Sequence, residues 1–318
     1  MLQPVPGIGI VLNPKSRKNR KDPGAALRLS RALGDTGVVR EARSLDELHN
    51  IAADFKRLGI DVLAISGGDG TNHVTLSGFI DVYAGATLPQ IALLRGGTMN
   101  TVANAIGVRR GRPEGLLARL VRAYAKRGVR PLANVERRVM RIGNAYGFLF
   151  GVGALHGFLA EYYRDSEPSP LVAAKTLLRG VGSAFVGGEI VQRIARPFVG
   201  HVEIDGHAGF PERAYLGIAA GTIDQIGLNF RPFYRCHQRE DAFQVLGIHA
   251  KPFAFCRQLP RVARAKPMAD SCTYDVLSPR IRVHAKDGRV AYMVDGDLHE
   301  SHGPLEISLG PKVRILTS

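Results

Sequence analysis

The sequence predicts an α/β protein: an N-terminal doubly wound parallel sheet followed by a mostly antiparallel, β-sandwich-like domain. Three observations predict it. Strand-like and helix-like segments alternate through about residue 130, the rhythm that produces parallel sheets. Two short apolar runs, residues 61–66 and 90–94, each end in a glycine-rich turn that leads into a helical segment. After Pro131 helical spacing thins, and short segments that alternate apolar and polar residues take over. The expected division is 1–133 for the first domain and 134–304 for the second. The last strands, within 305–318, return to the first domain.

Residues 5–12 read as the first strand, ended by Asn13-Pro14. Residues 22–33 have helical spacing through Leu27, Leu29 and Leu33, and Val38-Val39 suggests a short second strand. Residues 45–58 read as a helix. Ser44 is placed to cap it, Glu47 completes a capping box, and Gly59 ends it. Residues 61–66 form a third strand with a continuous apolar run at its centre, 71–80 a helix, 90–94 a fourth strand and 101–105 another helix. In the second domain, strands are expected at 135–142, 146–152, 198–204, 214–220, 242–248, 274–277, 280–285 and 290–294. Helices there are confined mainly to 170–194 and 252–264, and the closing strands are 305–307 and 313–316.

The chain has 318 residues, 45% hydrophobic and 22% charged, an ordinary globular balance. Its three cysteines, Cys236, Cys256 and Cys272, lie too far apart for a close-spaced metal pair and suit a reducing compartment. The most apolar stretch, residues 146–160, is shorter than the ~20 residues a bilayer crossing needs. The N-terminal apolar run, 8–12, is too short for a signal peptide, and its positive charge follows instead of preceding it. Net charge is +15. Residues 1–133 hold 20 Lys and Arg against 10 Asp and Glu, so the excess lies mainly in the first domain. Such a field attracts anions: nucleotide phosphates, acidic lipid surfaces or nucleic acid.

The turn Gly67-Gly68-Asp69-Gly70-Thr71 joins a buried strand to a helix. Its glycines are expected to allow positive φ and close backbone approach to a ligand. The following helix points free N–H groups and its positive dipole end at the same place, which suits phosphate. Asp69 then stands where phosphates repel it unless it holds Mg²⁺, whose usual ligands are carboxylates and phosphate oxygens. Gly96-Gly97-Thr98-Met99-Asn100 repeats the arrangement after the next strand, and two such turns would frame one nucleotide crevice. Thr98 and Asn100 are able to hydrogen-bond phosphate or ribose. Neither turn is a Rossmann fingerprint or a Walker A motif.

Taken with Asn13-Pro14-Lys15-Ser16 and Val294-Asp295-Gly296-Asp297, these turns resemble the diacylglycerol kinase catalytic-domain family, which includes bacterial lipid kinases and sphingosine and ceramide kinases. The resemblance runs over nearly the whole chain. It implies a nucleotide-binding α/β domain, a β-sandwich-like second domain with a cleft between them, ATP, Mg²⁺ and a lipid alcohol as acceptor. It implies nucleotide contacts from Asn13, Gly67, Gly68, Asp69, Gly70, Thr71, Asn72, Gly97, Thr98 and Asn100, with Asp69 managing the metal. The family's general base is a Glu in Asp-Gly-Glu. Here Asp297 takes that place, one methylene shorter, with Glu300 as a substitute. Four departures stand out. Arg17 replaces the first-loop Gly, and Asn134 stands near a usual Asp. Asp270-Ser271-Cys272 stands where many members hold a second, structural Mg²⁺, and the phosphate-contacting Thr before the second helix has no clear match, with Ser44 a candidate.

The resemblance therefore implies a cytoplasmic, ATP- and Mg²⁺-dependent lipid kinase that attaches peripherally to the anionic inner face of a membrane. Lys15, Arg17, Lys18, Arg20 and Lys21 put five basic residues in seven, placed to hold phosphates or headgroups or to sit in a solvated loop. No aromatic side chains interleave them, which argues against nucleic acid. Residues 170–194, with Leu171, Leu177, Leu178, Val181, Phe185 and Ile190, carry helical apolar spacing that serves either lipid contact or core packing. The alternatives are an NAD kinase, which shares the glycine-Asp loop, and a catalytically silent nucleotide or lipid sensor.

Overall fold

The structure, a computed structural model, describes residues 7–164, 169–186 and 188–317. The first two residues of the expected strand 5–12 lie outside the described residues, as do the side chains of Arg17 and Phe185. The chain divides into two compact units, Met1–Arg137 with Lys312–Ser318, and Arg138–Pro311.

The first unit runs β1 (Ile8–Leu12), α1 (Arg17–Arg20), α2 (Ala25–Leu33), β2 (Gly37–Glu41), α3 (Leu45–Leu58), β3 (Val62–Ser66), α4 (Asp69–Tyr83), β4 (Gln90–Leu93), α5 (Thr101–Ala105) and α6 (Pro113–Ala125). Its strands pair in the order β2-β1-β3-β4, all parallel, and Ile315 near the C-terminus pairs parallel with Ile91 of β4. β1 and β3 are buried at every residue, which explains their unbroken apolar runs. Leu29 and Leu33 of α2 and Leu117 and Leu120 of α6 join Ile8, Ile10, Val62 and Ala64 in one core on one side of the sheet. Phe55 of α3 packs edge-on against Phe79 of α4 at 6.1 Å.

The expected caps of α3 are present with one change. Ser44 Oγ accepts from the Glu47 amide at 3.2 Å, but Glu47 Oε2 returns to the Arg43 amide at 2.7 Å and not to that of Ser44. The Ser44 hydroxyl is thus committed to the helix. Gly59 takes the left-handed conformation, φ 64°. Two helices escaped the spacing argument. α6 has its periodicity masked by five basic or glycine positions between 109 and 115, and α1 is a single turn with no apolar residue.

The second unit holds β5 (Asn134–Ile142, entering from the first), β6 (Ala145–Gly147), β7 (Leu149–Val152), α7 (Ala154–Arg164), α8 (Pro170–Val186) and α9 (Glu189–Ile194). There follow β8 (Phe198–Ile204), β9 (Phe210–Tyr215), β10 (Gly217–Gly221), β11 (Phe243–Ile248), α10 (Pro252–Cys256), α11 (Leu259–Ala263), β12 (Thr273–Ser278), β13 (Arg280–Ala285), β14 (Arg289–Val294), β15 (Asp297–His302) and β16 (Leu305–Leu316). One antiparallel sheet has the order β12-β11-β10-β7-β14-β15. Facing it are β9, β8, β13 and the start of β16, also antiparallel. Phe150, Phe243 and Val294 from the first meet Val202, Ile281 and Ile307 from the second in one buried core.

Several expected boundaries change. The strand expected at 214–220 divides at Leu216 into the end of β9 and β10. The two closing strands are one strand of 12 residues, β16, which leaves the second unit and ends in the first. α7 stands in a stretch whose continuous apolarity gave no helical period. Cys236, Cys256 and Cys272 are free thiols, and no helix among the described residues is long and apolar enough to cross a membrane.

Candidate active site

β1 leads to β2 on one side of itself while β3 lies on the other, so the chain reverses its winding between β1 and β3. Open parallel sheets bind ligands outside the carboxyl ends of strands at such a switch. Asn13 and Gly67 leave β1 and β3 there. Asn13 Nδ2 donates to Thr71 Oγ1 at 3.0 Å, joining the loop after β1 to the first turn of α4. Asn19 Nδ2 donates to the carbonyls of both Asn13 (2.8 Å) and Ser66 (3.0 Å) and fixes the two strand ends together.

α4 begins at Asp69, two residues earlier than its apolar spacing suggests, so Asp69, Gly70 and Thr71 form its first turn. Gly68 caps it without a side-chain bond. First-turn amides have no partner within their own helix and face outward from its positive end. The glycines are needed for a different reason from the one their number suggested. Gly68 has φ −96°, and none of the five glycines in the two turns has a positive φ. A Cβ on Gly97 would lie 2.2 Å from the Gly68 Cα, and one on Gly96 would lie 2.8 Å from the Gly67 nitrogen. The two turns therefore touch backbone to backbone, which only glycine permits.

The left-handed positions are instead Arg95 (φ 54°) and Asn100 (φ 49°), at either end of the second turn. Asn100 tolerates this conformation, and its Nδ2 closes the turn on the Gly97 carbonyl at 3.0 Å. Arg95 is buried. Its guanidinium donates to the Val108 carbonyl at 3.1 Å and to Asn104 Oδ1, which offsets a backbone cost of about 1–2 kcal/mol. Its own carbonyl accepts from Lys18 Nζ at 2.9 Å. Burial, then the Arg95 charge, lowers the Lys18 pKa against the pull of Glu114. Of the basic cluster, Lys15 likewise has its ammonium on a backbone carbonyl, that of Arg43 at 2.8 Å.

Asp69 locks the turns together. Its Oδ2 accepts from the Thr101 amide at 2.9 Å and its Oδ1 from the Val102 amide at 3.2 Å, so it caps α5, the helix that follows the second turn. Burial raises its pKa, and the two amides and Arg95 pull the other way. Each oxygen keeps a lone pair. Asp69 belongs to no cluster of three ligating side chains among the described residues. Mg²⁺ commonly takes one or two carboxylates and fills its shell with phosphate oxygens and water, a donor set in which Asp69 would be the protein's ligand. Around these turns three buried polar atoms lack hydrogen-bond partners: Asn72 Oδ1, Ser66 Oγ and Ser16 Oγ. Thr98 is half-buried beside them in the sequence of the second turn.

In the second unit, Asp295 and Asp297 have separate tasks. Asp295 (φ 47°) and Gly296 (φ 99°) form the two-residue turn of the β14–β15 hairpin, both left-handed as such a turn requires. The buried Asp295 carboxylate accepts from the amides of Phe148 and Leu149, so it is a structural brace. Asp297 opens β15 half-buried, on the same strand face as His299. Burial lowers the His299 pKa while Asp297 opposes, so at neutral pH the imidazole is uncharged. Tyr163 Oη donates to the Gly296 carbonyl at 2.8 Å and steadies the turn. Glu300 falls on the opposite, exposed face and pairs with Arg289 at 2.5 Å, which holds its carboxyl below the usual range. The ion pair occupies the substitute base.

Arg95, Asn19, Tyr163 and His299 were not foreseen. Arg95 had a signal, as the one charge in an apolar run before a glycine turn. Asn19 was hidden among basic neighbours, and the other two reach their places only through tertiary packing.

Residues 8–129 match the model of the diacylglycerol kinase catalytic domain, a span that holds β1 to β4 and the two glycine turns but not the Asp295–Asp297 hairpin. No curated protein matches the chain. Among solved structures, a diacylglycerol kinase from Bacillus anthracis str. Sterne is 12% identical, with 98% of this chain and 97% of that chain covered and a TM-score of 0.62. A second Bacillus anthracis str. Sterne structure, provisionally described as a diacylglycerol kinase, is 14% identical over the same shares with a TM-score of 0.70. At such identities these likenesses speak for the two-domain fold.

Proposed function

We propose that this protein transfers the γ-phosphate of ATP to the hydroxyl of a membrane lipid alcohol, such as diacylglycerol or a sphingoid base, a reading supported by the match of residues 8–129 to the diacylglycerol kinase catalytic-domain model. The observation that carries this reading is the pair of touching glycine turns at the switch point, braced by Asp69 and surrounded by orphaned polar atoms. A phosphate there meets first-turn amides of α4, the Thr71 hydroxyl held by Asn13, and the nearby Lys18 and Arg95 charges. Asn72 Oδ1 and Ser66 Oγ await polar partners that a nucleotide and its hydration bring. Mg²⁺ held by Asp69 would neutralise phosphate charge, the main requirement of phosphoryl transfer.

Transfer to an alcohol also needs a base for its proton. Asp297 is the proposed base. Asp297 opens β15 half-buried on the strand face it shares with His299, the position that the resemblance assigns to the base. Asp295, spent on backbone amides, is excluded from the role.

The membrane part of the proposal rests on α8. Leu171 and Leu178 are 82% and 71% exposed, two turns apart, with exposed Lys175 and Arg179 beside them. Phe253 of α10, which packs on α8, is also exposed. Apolar side chains flanked by cations suit shallow insertion into an anionic surface, here the inner face of the cytoplasmic membrane. Incubation with γ-labelled ATP, Mg²⁺ and either dispersed diacylglycerol, sphingosine or NAD tests the reading. Labelled lipid supports it, labelled NADP overturns it, and nucleotide binding without product gives the sensor.

A further inference from the structure

On the outer face of the second unit, two histidines and a glutamate from neighbouring strands converge. His201 and Glu203 lie on β8 and His284 on β13. His201 is paired directly with His284 in the antiparallel register, and Glu203 lies two residues along on the same face. The two imidazoles stack with centroids 4.3 Å apart and planes 9° from parallel. One ligand atom from each of the three residues lies within 4.8 Å of the others.

We propose that His201, Glu203 and His284 form a binding site for a divalent transition metal of the Zn²⁺ class. Two imidazoles and a carboxylate are borderline donors of the kind that select Zn²⁺ and its neighbours over Mg²⁺ or Ca²⁺. Bonds of roughly 2.0–2.2 Å require ligand atoms about 3.4 Å apart. The three atoms reach that spacing by side-chain rotation alone, because their backbones are already in register.

His284 Nε2 supplies the independent sign of a ligand. It lies 3.0 Å from Glu203 Oε1, yet it is shielded from solvent and makes no aligned hydrogen bond. A simple His–Glu pair would satisfy this nitrogen, whereas a metal lying among the three ligands uses its lone pair. The other carboxylate oxygen is already oriented. Arg282, directly opposite Glu203, lies 3.5 Å from Oε2 and is held from its far side by Glu306 at 3.3 Å. A carboxylate ligand with its second oxygen on such a partner is the usual support in metal sites. Three protein ligands leave a position for water, and the metal would clip β8 to β13.

Calorimetric titration of the metal-free, nucleotide-free full chain with ZnCl₂ tests this, alongside thermal melting with and without Zn²⁺. The expected result is uptake of one Zn²⁺ and a raised Tm. His201→Ala and His284→Ala should each weaken binding at least tenfold and cancel the Tm rise. Glu203→Gln should weaken it less than either. Excess Mg²⁺ should not displace the metal. Co²⁺ in place of Zn²⁺ should give visible d–d absorption in wild type that is lost in His284→Ala. Absence of uptake in wild type overturns the proposal, as does uptake unchanged in the His201→Ala/His284→Ala double variant, provided circular dichroism shows that variant folded. A double variant that does not fold leaves the decision to Glu203→Gln: unchanged affinity there also overturns it.

Discussion

The Asp69 carboxylate accepts a hydrogen bond from the Thr101 amide at 2.9 Å, and this contact, with its neighbour to Val102, ties the first glycine turn to the helix that leaves the second. A residue whose sequence context suggests metal or phosphate chemistry also holds the backbone of the two glycine turns in shape. Asp69→Asn presents an amide NH₂ to one of two backbone donors. The expected loss is about 2–3 kcal/mol of stability, together with at least tenfold weaker nucleotide binding. Urea denaturation and titration with a fluorescent ATP analogue measure the two. A variant that matches wild type in both removes the bracing role.

The same residue sets a pH dependence. Burial raises the Asp69 pKa, so the folded protein holds this proton to higher pH than the unfolded chain. That contribution to stability is present below the unfolded value and is lost as pH rises through the folded one. Metal binding has the opposite sign, because it needs the anion. On acidification kcat/KM should therefore fall at a pH above the ordinary carboxylate value of about 3.9. A pH–rate profile checks this: in the residual activity of Asp69→Asn the acidic limb should move, because it no longer includes Asp69 and only the requirement for an ionised Asp297 remains.

Gly97→Ala places a methyl group where the Gly68 Cα already lies 2.2 Å away, backbone against backbone. It should cost about 2–4 kcal/mol and abolish nucleotide binding. Gly115, inside α6, has open space around its Cβ position. Gly115→Ala should raise stability by up to about 1 kcal/mol and leave binding alone. Denaturant midpoints of the two variants should move in opposite directions.

The two aspartates of the β14–β15 turn should separate fold from chemistry. Asp295→Ala leaves the buried amides of Phe148 and Leu149 without an acceptor and should cost about 3 kcal/mol or more. Asp297 is half-exposed at a strand start, so Asp297→Asn should change stability by under about 1 kcal/mol while slowing transfer at least 100-fold. Thermal melts paired with product assays distinguish them.

The fold was legible because its signals are local. Unbroken apolar runs at Val62–Ser66 and Gln90–Leu93 specify buried parallel strands, and glycine pairs mark their ends. What stayed hidden depends on contacts across the chain. The glycines at 67, 68, 96 and 97 read as conformational freedom, yet they serve the close approach of two backbones about 30 residues apart. Helix α7 was lost because its apolar residues show no period, and β16 because Gly310-Pro311 looks like a break. Asp295 and Asp297 look interchangeable in sequence. Only the hairpin turn shows that one is consumed by backbone amides and that Glu300 faces the other way.

In the proposed reaction the paired glycine turns hold ATP and Asp297 takes the proton of a lipid hydroxyl. Its most direct measurement is transfer of labelled γ-phosphate to diacylglycerol or sphingosine by wild type, Asp297→Asn and Asp297→Glu, each saturated with ATP and Mg²⁺. Wild type should give labelled lipid, Asp297→Asn a rate lower by at least 100-fold, about 2.7 kcal/mol, with nucleotide affinity unchanged, and Asp297→Glu retained activity. Labelled lipid formed at the wild-type rate by Asp297→Asn, or none formed by wild type from either acceptor, would contradict it.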